Sequence, residues 1–336
     1  MRLASLLAAG ALLLGCVLAP ESSIKTAGSG GSAAARPHSA VAATGPSSAA
    51  TAAGAATETA SSAAAASPIA AAPAPTIATS TASLVRAAGE IPPQLKLLAD
   101  AYPGAFQTRF DDTYGWGVQF DHGTFIPWDE GKQHTDFESL LADPNLKDIF
   151  AIPYIPVGPD SSANSDTPAP PPVNHDPGRI RHQGFFQALY GSTREEVESR
   201  LQPVPWLAGI TPDEETQVLL VTTTHGVAER LQRISDRLER LPQEYHRYVS
   251  PAAGAYFWRK IAGTDRLSMH SLGIAMDINP AHGHYWQWDA RPDNKNNLPT
   301  RIVRIFEEEG FIWGGHWYHY DTFHFEYRPE LLSTTR

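Results

Sequence analysis

A single cysteine, Cys16, serves the whole chain of 336 residues, so no disulfide can form within it. An exported domain built this way must rely on its apolar core or on a metal ion. Long apolar runs are missing too. The stretch from Leu3 to Leu14 is almost wholly apolar, but its 12 residues fall short of the roughly 20 that span a bilayer. Positive charge is scarce: 26 Lys and Arg face 36 Asp and Glu, a formal net charge of −10. That balance removes the electrostatic reason to bind nucleic acid or anionic lipid. There is no internal repeat and no nucleotide-binding glycine fingerprint. Between Val17 and Gly89 almost nothing large and apolar is available to bury.

What is present begins with an export signature. Met1-Arg2, the apolar stretch and then Gly15-Cys16 describe a basic start, a short apolar core and a small residue before a break. Leu13-Leu14-Gly15-Cys16 resembles the lipobox of bacterial lipoproteins. The resemblance implies a signal peptide over 1–15, cleavage before Cys16 and acylation of its thiol. Loss of Arg2 leaves 25 basic residues against 36 acidic ones, a formal charge of −11. Attachment to a membrane then comes from the lipid, and the expected location is the cell envelope. Residues 16–89 are Ala, Ser, Thr, Pro and Gly with few charges, the composition of a disordered tether. A flexible chain of about 70 residues spans on the order of 45 Å.

Globular composition starts near Glu90. A soft Pro-, Ser- and Asp-containing stretch over 157–179 divides an N-terminal lobe, 90–156, from a main domain, 180–336. It reads as a flexible linker or loop. Within the main domain Ser192-Thr193-Arg194-Glu195 reads as a capping box opening a short helix. Gln217 to Thr223 reads as a strand. Val227, Leu231, Ile234, Leu238 and Leu241 recur at helical spacing, predicting an amphipathic helix over 226–241. Ile274–Ile278 and Thr322–Tyr327 read as strands, and Pro299 starts a helix that stops at Gly310. The pattern predicts an α+β domain, a small antiparallel sheet with flanking helices.

Two blocks carry the chemistry. One runs from Ser268 through His270 and Gly273 to Asp277; the other runs from Trp313 through Asp321 and His324 to Glu326. Two imidazoles and two or three carboxylates are the inventory of a catalytic zinc site with one position open to water. Gly273 permits a tight turn between His270 and Asp277. On an extended strand Thr322, His324 and Glu326 share one face. Asp321, three residues before His324, sits where the chain enters that strand and is placed to act as a general base. Glu326 is either a second candidate base or an orienter of His324. Each residue also has a plain structural reading, as a packed histidine or a turn carboxylate.

Ser268-x-His270-x-x-Gly273-x-Ala275-x-Asp277, followed by Trp313-Gly314-Gly315-x-Trp317-x-x-x-Asp321-x-x-His324-Phe325-Glu326, resembles the signature of the LAS zinc peptidases. These include VanY-like D-alanyl-D-alanine carboxypeptidases, phage endolysins and L-alanyl-D-glutamate endopeptidases. The resemblance implies a zinc cofactor (Zn2+) held by His270, Asp277 and His324, with Asp321 as catalytic base. It implies peptidoglycan stem peptides as substrate partners. Such peptides end in a free carboxylate, which a guanidinium can grip bidentately. Arg259 and Ser268 are the substrate-binding candidates. Trp313 and Trp317 either wall a cleft or sit in the core, and His282, His284, His316 and His319 are candidates to assist the oxyanion. The resemblance leaves D-Ala-D-Ala carboxypeptidase and L-Ala-D-Glu endopeptidase action both open. The alternative is a non-catalytic, metal-stabilised cell-wall binding module, since the Hedgehog signalling domain is similar in fold and zinc site to this group.

Overall fold

The computed structural model describes residues 89–158, 171–289 and 297–333. The signal stretch, Cys16 and the tether expected before residue 89 lie outside them. Eight helices and eight strands follow one another among the described residues. The first part carries α1 (Pro93–Ala101), then β1 (Gln107–Asp111), β2 (Gly115–Gln119) and β3 (Phe125–Pro127), then α2 (Phe137–Ala142). The middle carries α3 (Gln183–Tyr190), α4 (Arg194–Glu198), β4 (Leu201–Trp206), β5 (Gln217–Thr222), α5 (Val227–Glu239) and α6 (Gln243–Val249). The last part carries β6 (Ala275–Asp277), α7 (Thr300–Glu308), β7 (Phe311–Trp313), β8 (His324–Tyr327) and α8 (Pro329–Leu332).

The architecture is α+β, with three small antiparallel sheets and flanking helices: β1-β2-β3, β4-β5, and β6-β8-β7 with β8 in the middle. The third sheet carries the two blocks. Its central strand is buried on both faces, so His324 and Glu326 are as enclosed as Phe325 and Tyr327. Simple alternation of a buried and an open face does not describe it, because α7 covers one side and the segment around Arg181 closes the other. On the α7 side Phe306 stacks on Phe325 with ring centroids 3.9 Å apart. At the other, Arg181 reaches Glu326.

α5 forms as its periodicity requires: Val227, Leu231, Ile234 and Leu238 are fully buried on one stripe. The capping box of α4 is shifted by one residue from its expected position. Thr193 is the N-cap, its side chain accepting from the Glu196 N–H, and Glu196 reaches back to the N–H of Ser192 at 2.7 Å. Ser and Thr can both cap a helix, and Glu follows three residues after each, so the local motif permits either register.

One apolar core runs through the described chain. Leu95, Leu98, Tyr102 and Val118, from the segment expected as an N-terminal lobe, join the same cluster as Leu231, Ile302 and Phe325. Residues 171–179, within the stretch expected as a linker, are seated on the third sheet. Asp176 is fully buried, the Pro177 carbonyl accepts from Trp317 Nε1 at 2.7 Å, and the Gly178 carbonyl accepts from Arg328 at 2.6 Å.

Candidate metal centre

The site is assembled by local turns and one strand pairing. Ser268 caps a 3-10 turn over Met269–Leu272, its Oγ accepting from the His270 N–H. Gly273 ends that turn at φ 69°, where a side chain is disfavoured, and a Cβ there would lie 2.7 Å from Leu201 and 3.0 Å from the Thr222 backbone nitrogen. The reversal leads straight into β6, so His270 and Asp277 face each other across it. His324 then arrives from β8, where it is the direct cross-strand partner of Asp277.

Three donor atoms converge. His270 Nε2 lies 3.2 Å from His324 Nδ1 and 3.3 Å from Asp277 Oδ1, and His324 Nδ1 lies 2.9 Å from the same carboxylate oxygen. Among the described residues this is the one group of three or more such side chains gathered for an ion. The far nitrogen of each ring is engaged. His270 Nδ1 meets the Ala255 carbonyl at 2.6 Å, which can only accept, so the hydrogen of a neutral ring is on Nδ1. His324 Nε2 meets the Glu326 carboxylate at 3.5 Å, which places its hydrogen there. Both remaining lone pairs then point at one place beside an anionic carboxylate, an arrangement that calls for a cation. Ligands about 2.0–2.1 Å from a tetrahedral zinc ion are roughly 3.3–3.4 Å apart, close to the separations found. The donor set therefore fits zinc.

Electrostatics agree. Burial works to raise the Asp277 carboxyl, yet its interactions with His270 and His324 hold it below the ordinary value. Burial works to lower His324, yet its hydrogen bonds to Asp277 and Glu326, with their charges, push it up to about 10. A site that favours a proton this strongly favours positive charge.

Asp321 lies beside this group. Its carbonyl accepts from the His324 N–H at 3.2 Å, and its own N–H donates to the Gly314 carbonyl at 3.0 Å. Gly314 must be bare for this: a Cβ would sit 2.6 Å from the Asp321 carbonyl oxygen. Asp321 Oδ1 is buried with no hydrogen-bond partner. Burial pushes its carboxyl up to about 7; the charge on His324 opposes this and that on Asp277 adds to it. A desolvated carboxylate next to a metal-type cluster is poised to exchange a proton near neutral pH.

The other expected residues fall into two sets. Arg259 is exposed; its backbone N–H and carbonyl bracket Ser271 Oγ at 2.8 and 2.6 Å. Its guanidinium is close enough to Tyr285, along with Arg179, to oppose the rise that burial and Asp321 impose on that phenol. Ser268 is buried in its capping role. Trp313 and Trp317 are core residues, though Trp317 also packs against His324 at 5.5 Å. His316 is half-buried between Trp313 and Tyr154, and desolvation there, with His175, pushes its pKa down to about 4. His282 packs on Tyr248, and His284 is held by Asp289 and Asn297. His319 is different: buried Asp176 accepts from its backbone N–H at 2.9 Å and meets its Nδ1 at 2.6 Å.

Four residues around the site escaped the reading of the sequence: Asp176, Arg179, Arg181 and Arg328. Arg179 stacks over Trp317 at 5.7 Å and lies 3.4 Å from Asp176. Arg181 and Arg328 grip Glu326 at 2.6 and 3.1 Å, so Glu326 is the orienter of His324. The signal for the first three was the dense charge of Asp176-Pro177-Gly178-Arg179-Ile180-Arg181 after a proline-rich uncharged run.

Residues 262–327 match a family model described as D-alanyl-D-alanine carboxypeptidase. The matched span contains His270, Asp277, Asp321 and His324, the same residues that carry the resemblance seen in the sequence. Comparison with curated proteins and with solved structures gave no match. The family match supports a peptidase acting on peptidoglycan-type peptides.

Proposed function

We propose that this chain is a zinc-dependent peptidase that hydrolyses amide bonds in peptidoglycan stem peptides and works from a lipid anchor in the cell envelope. The observation that carries the reading is the convergence of His270 Nε2, Asp277 Oδ1 and His324 Nδ1 beside Asp321, whose Oδ1 is buried without a hydrogen-bond partner. When bound there, zinc supplies Lewis acidity at an amide carbonyl and makes water acidic near neutral pH.

The chain's own residues do the rest. The Ala255 carbonyl and Glu326 hold the two imidazoles in the tautomers that leave Nε2 and Nδ1 free for the ion. Asp321 accepts the proton of the attacking water and delivers it to the leaving nitrogen, so the carboxylate is regenerated. Its burial makes both transfers nearly balanced. Arg259, exposed and near Tyr285, is our candidate to grip the substrate carboxylate, with the Ser268 hydroxyl beside His270 as a second contact. Acylation of Cys16 and the tether that follows are the proposed means of attachment. No helix among the described residues is long and apolar enough to cross a membrane.

The test is mass spectrometry of muropeptides incubated with the protein and zinc, with and without a chelator. Chelator-sensitive release of D-Ala identifies a carboxypeptidase, and cleavage between L-Ala and D-Glu identifies an endopeptidase. A protein that retains one zinc and cleaves neither bond is a binding module instead.

A further inference from the structure

We propose that the groove between α5 and α7 is a binding site for a phosphate ester. Four arginines line it: Arg237 and Arg240 at the end of α5, and Arg301 and Arg304 in the first half of α7. Leu241 and Ile305 complete the lining of a cavity of about 320 Å³, and no acidic side chain belongs to it.

The nearby carboxylates are already engaged. Glu308 pairs with Arg237, and Glu309 is held by Arg233 at 2.8 Å and by Arg237 at 3.7 Å. Arg304 donates to the Gly158 carbonyl at 2.7 Å. Arg240 and Arg301 are exposed, and neither guanidinium has an ion pair or hydrogen bond to another described residue.

The α7 side of this arrangement runs against what helices favour, whereas Arg237 and Arg240 sit at the C-terminal end of α5, where cations are favoured. The first turn of α7 holds no acidic residue and contains Arg301 at its positive end. A cation there is unfavourable, as are like charges gathered around one groove. An anion in the groove would offset both costs. All four cations are arginines, whose planar guanidinium matches phosphate oxygens in pairs where lysine offers only a point charge. The cavity is on the order of ten times the 30 Å³ share of one water molecule. It therefore admits a phosphate with a small organic substituent, for which Leu241 and Ile305 supply an apolar wall. The net charge of −10 is an average over the whole chain and does not describe this local field.

A glycerophosphate group satisfies these requirements, either free in solution or as the headgroup of an anionic phospholipid. The full chain carrying Cys16→Ser, which removes any acyl contribution, is titrated calorimetrically with inorganic phosphate, glycerol 3-phosphate and glycerol. It is also floated with vesicles of phosphatidylglycerol or of phosphatidylcholine. We expect binding of glycerol 3-phosphate over glycerol, or flotation on phosphatidylglycerol alone, weakening as salt is raised. The first result identifies a soluble ester and the second a headgroup.

Arg240→Glu with Arg301→Glu should reduce that binding at least about tenfold, roughly 1.4 kcal/mol, with an unchanged circular dichroism spectrum. Arg240→Gln with Arg301→Gln serves if charge reversal disturbs folding, and should also weaken binding. No binding of any phosphate probe, equal binding of glycerol, or full affinity in a folded variant would overturn the proposal. None of these readouts depends on peptidase activity.

Discussion

Replacing Glu326 with glutamine is the most informative single change at the metal centre. The carboxylate is fully buried and serves three partners: Arg181 at 2.6 Å, Arg328 at 3.1 Å and His324 Nε2 at 3.5 Å. Arg328 keeps a second carboxylate, Glu330, at 2.6 Å, which Tyr102 also binds. Arg181 has Glu326 as its one ion-pair partner among the described residues, and burial already pulls its pKa down to about 10. Glutamine therefore leaves one buried guanidinium uncompensated. Breaking a buried pair from one side costs about 3–5 kcal/mol, and the surviving Arg328–Glu330 pair puts the expected loss at about 3 kcal/mol. For a domain of this size that is a drop in Tm of roughly 6–12 °C. A neutral amide is also a weaker acceptor for the His324 ring, so zinc affinity should fall about 10- to 100-fold. Chemical denaturation reads the first effect and competition with a metal-binding dye reads the second. Arg181→Met combined with Glu326→Gln removes the stranded charge, so stability should return in part while zinc affinity stays low. Wild-type zinc affinity in Glu326→Gln would refute the assignment of Glu326 as the orienter of His324.

Asp321→Asn should keep the zinc and the fold but lower turnover by about 10²- to 10⁴-fold, the usual contribution of a general base; single-turnover cleavage alongside metal analysis checks it. Gly273→Ala places a side chain at φ 69° and against Leu201 and the Thr222 backbone, so a loss of about 1–3 kcal/mol in chemical denaturation is expected, with weaker zinc binding because His270 moves relative to Asp277. Glu307, buried against Tyr154 at 2.6 Å and the Val157 N–H at 2.9 Å, has its pKa pushed up by burial to about 7. The folded state thus holds this proton more tightly than the unfolded chain, and the group's contribution to stability is lost as pH rises from about 4.5 through 7. Denaturation at a series of pH values should show that slope flattened in Glu307→Gln.

Local pattern carried much of this protein. The stripe of α5, the start and stop of α7 and the turn at Gly273 are set by residues within one or two helical turns of each other, and periodicity or a bare glycine reports them directly. The candidate metal ligands were legible through the resemblance of their two blocks to the LAS zinc peptidases; imidazoles and carboxylates alone left the packed-histidine and turn-carboxylate readings open. Their meeting was not. Asp277 and His324 touch because β6 and β8 pair in one register, and the chain between them leaves no trace of that register in its spacing. The same holds for Asp176 under His319 and for Arg181 and Arg328 around Glu326. Those buried charges exist only because segments far apart in sequence close over the third sheet and remove water, which makes each charge require a partner. Composition placed a boundary near residue 157, and packing draws Leu95 and Leu98 into the core that also holds Phe325. Net charge told of an acidic chain; only the approach of α5 to α7 gathers four arginines around one groove.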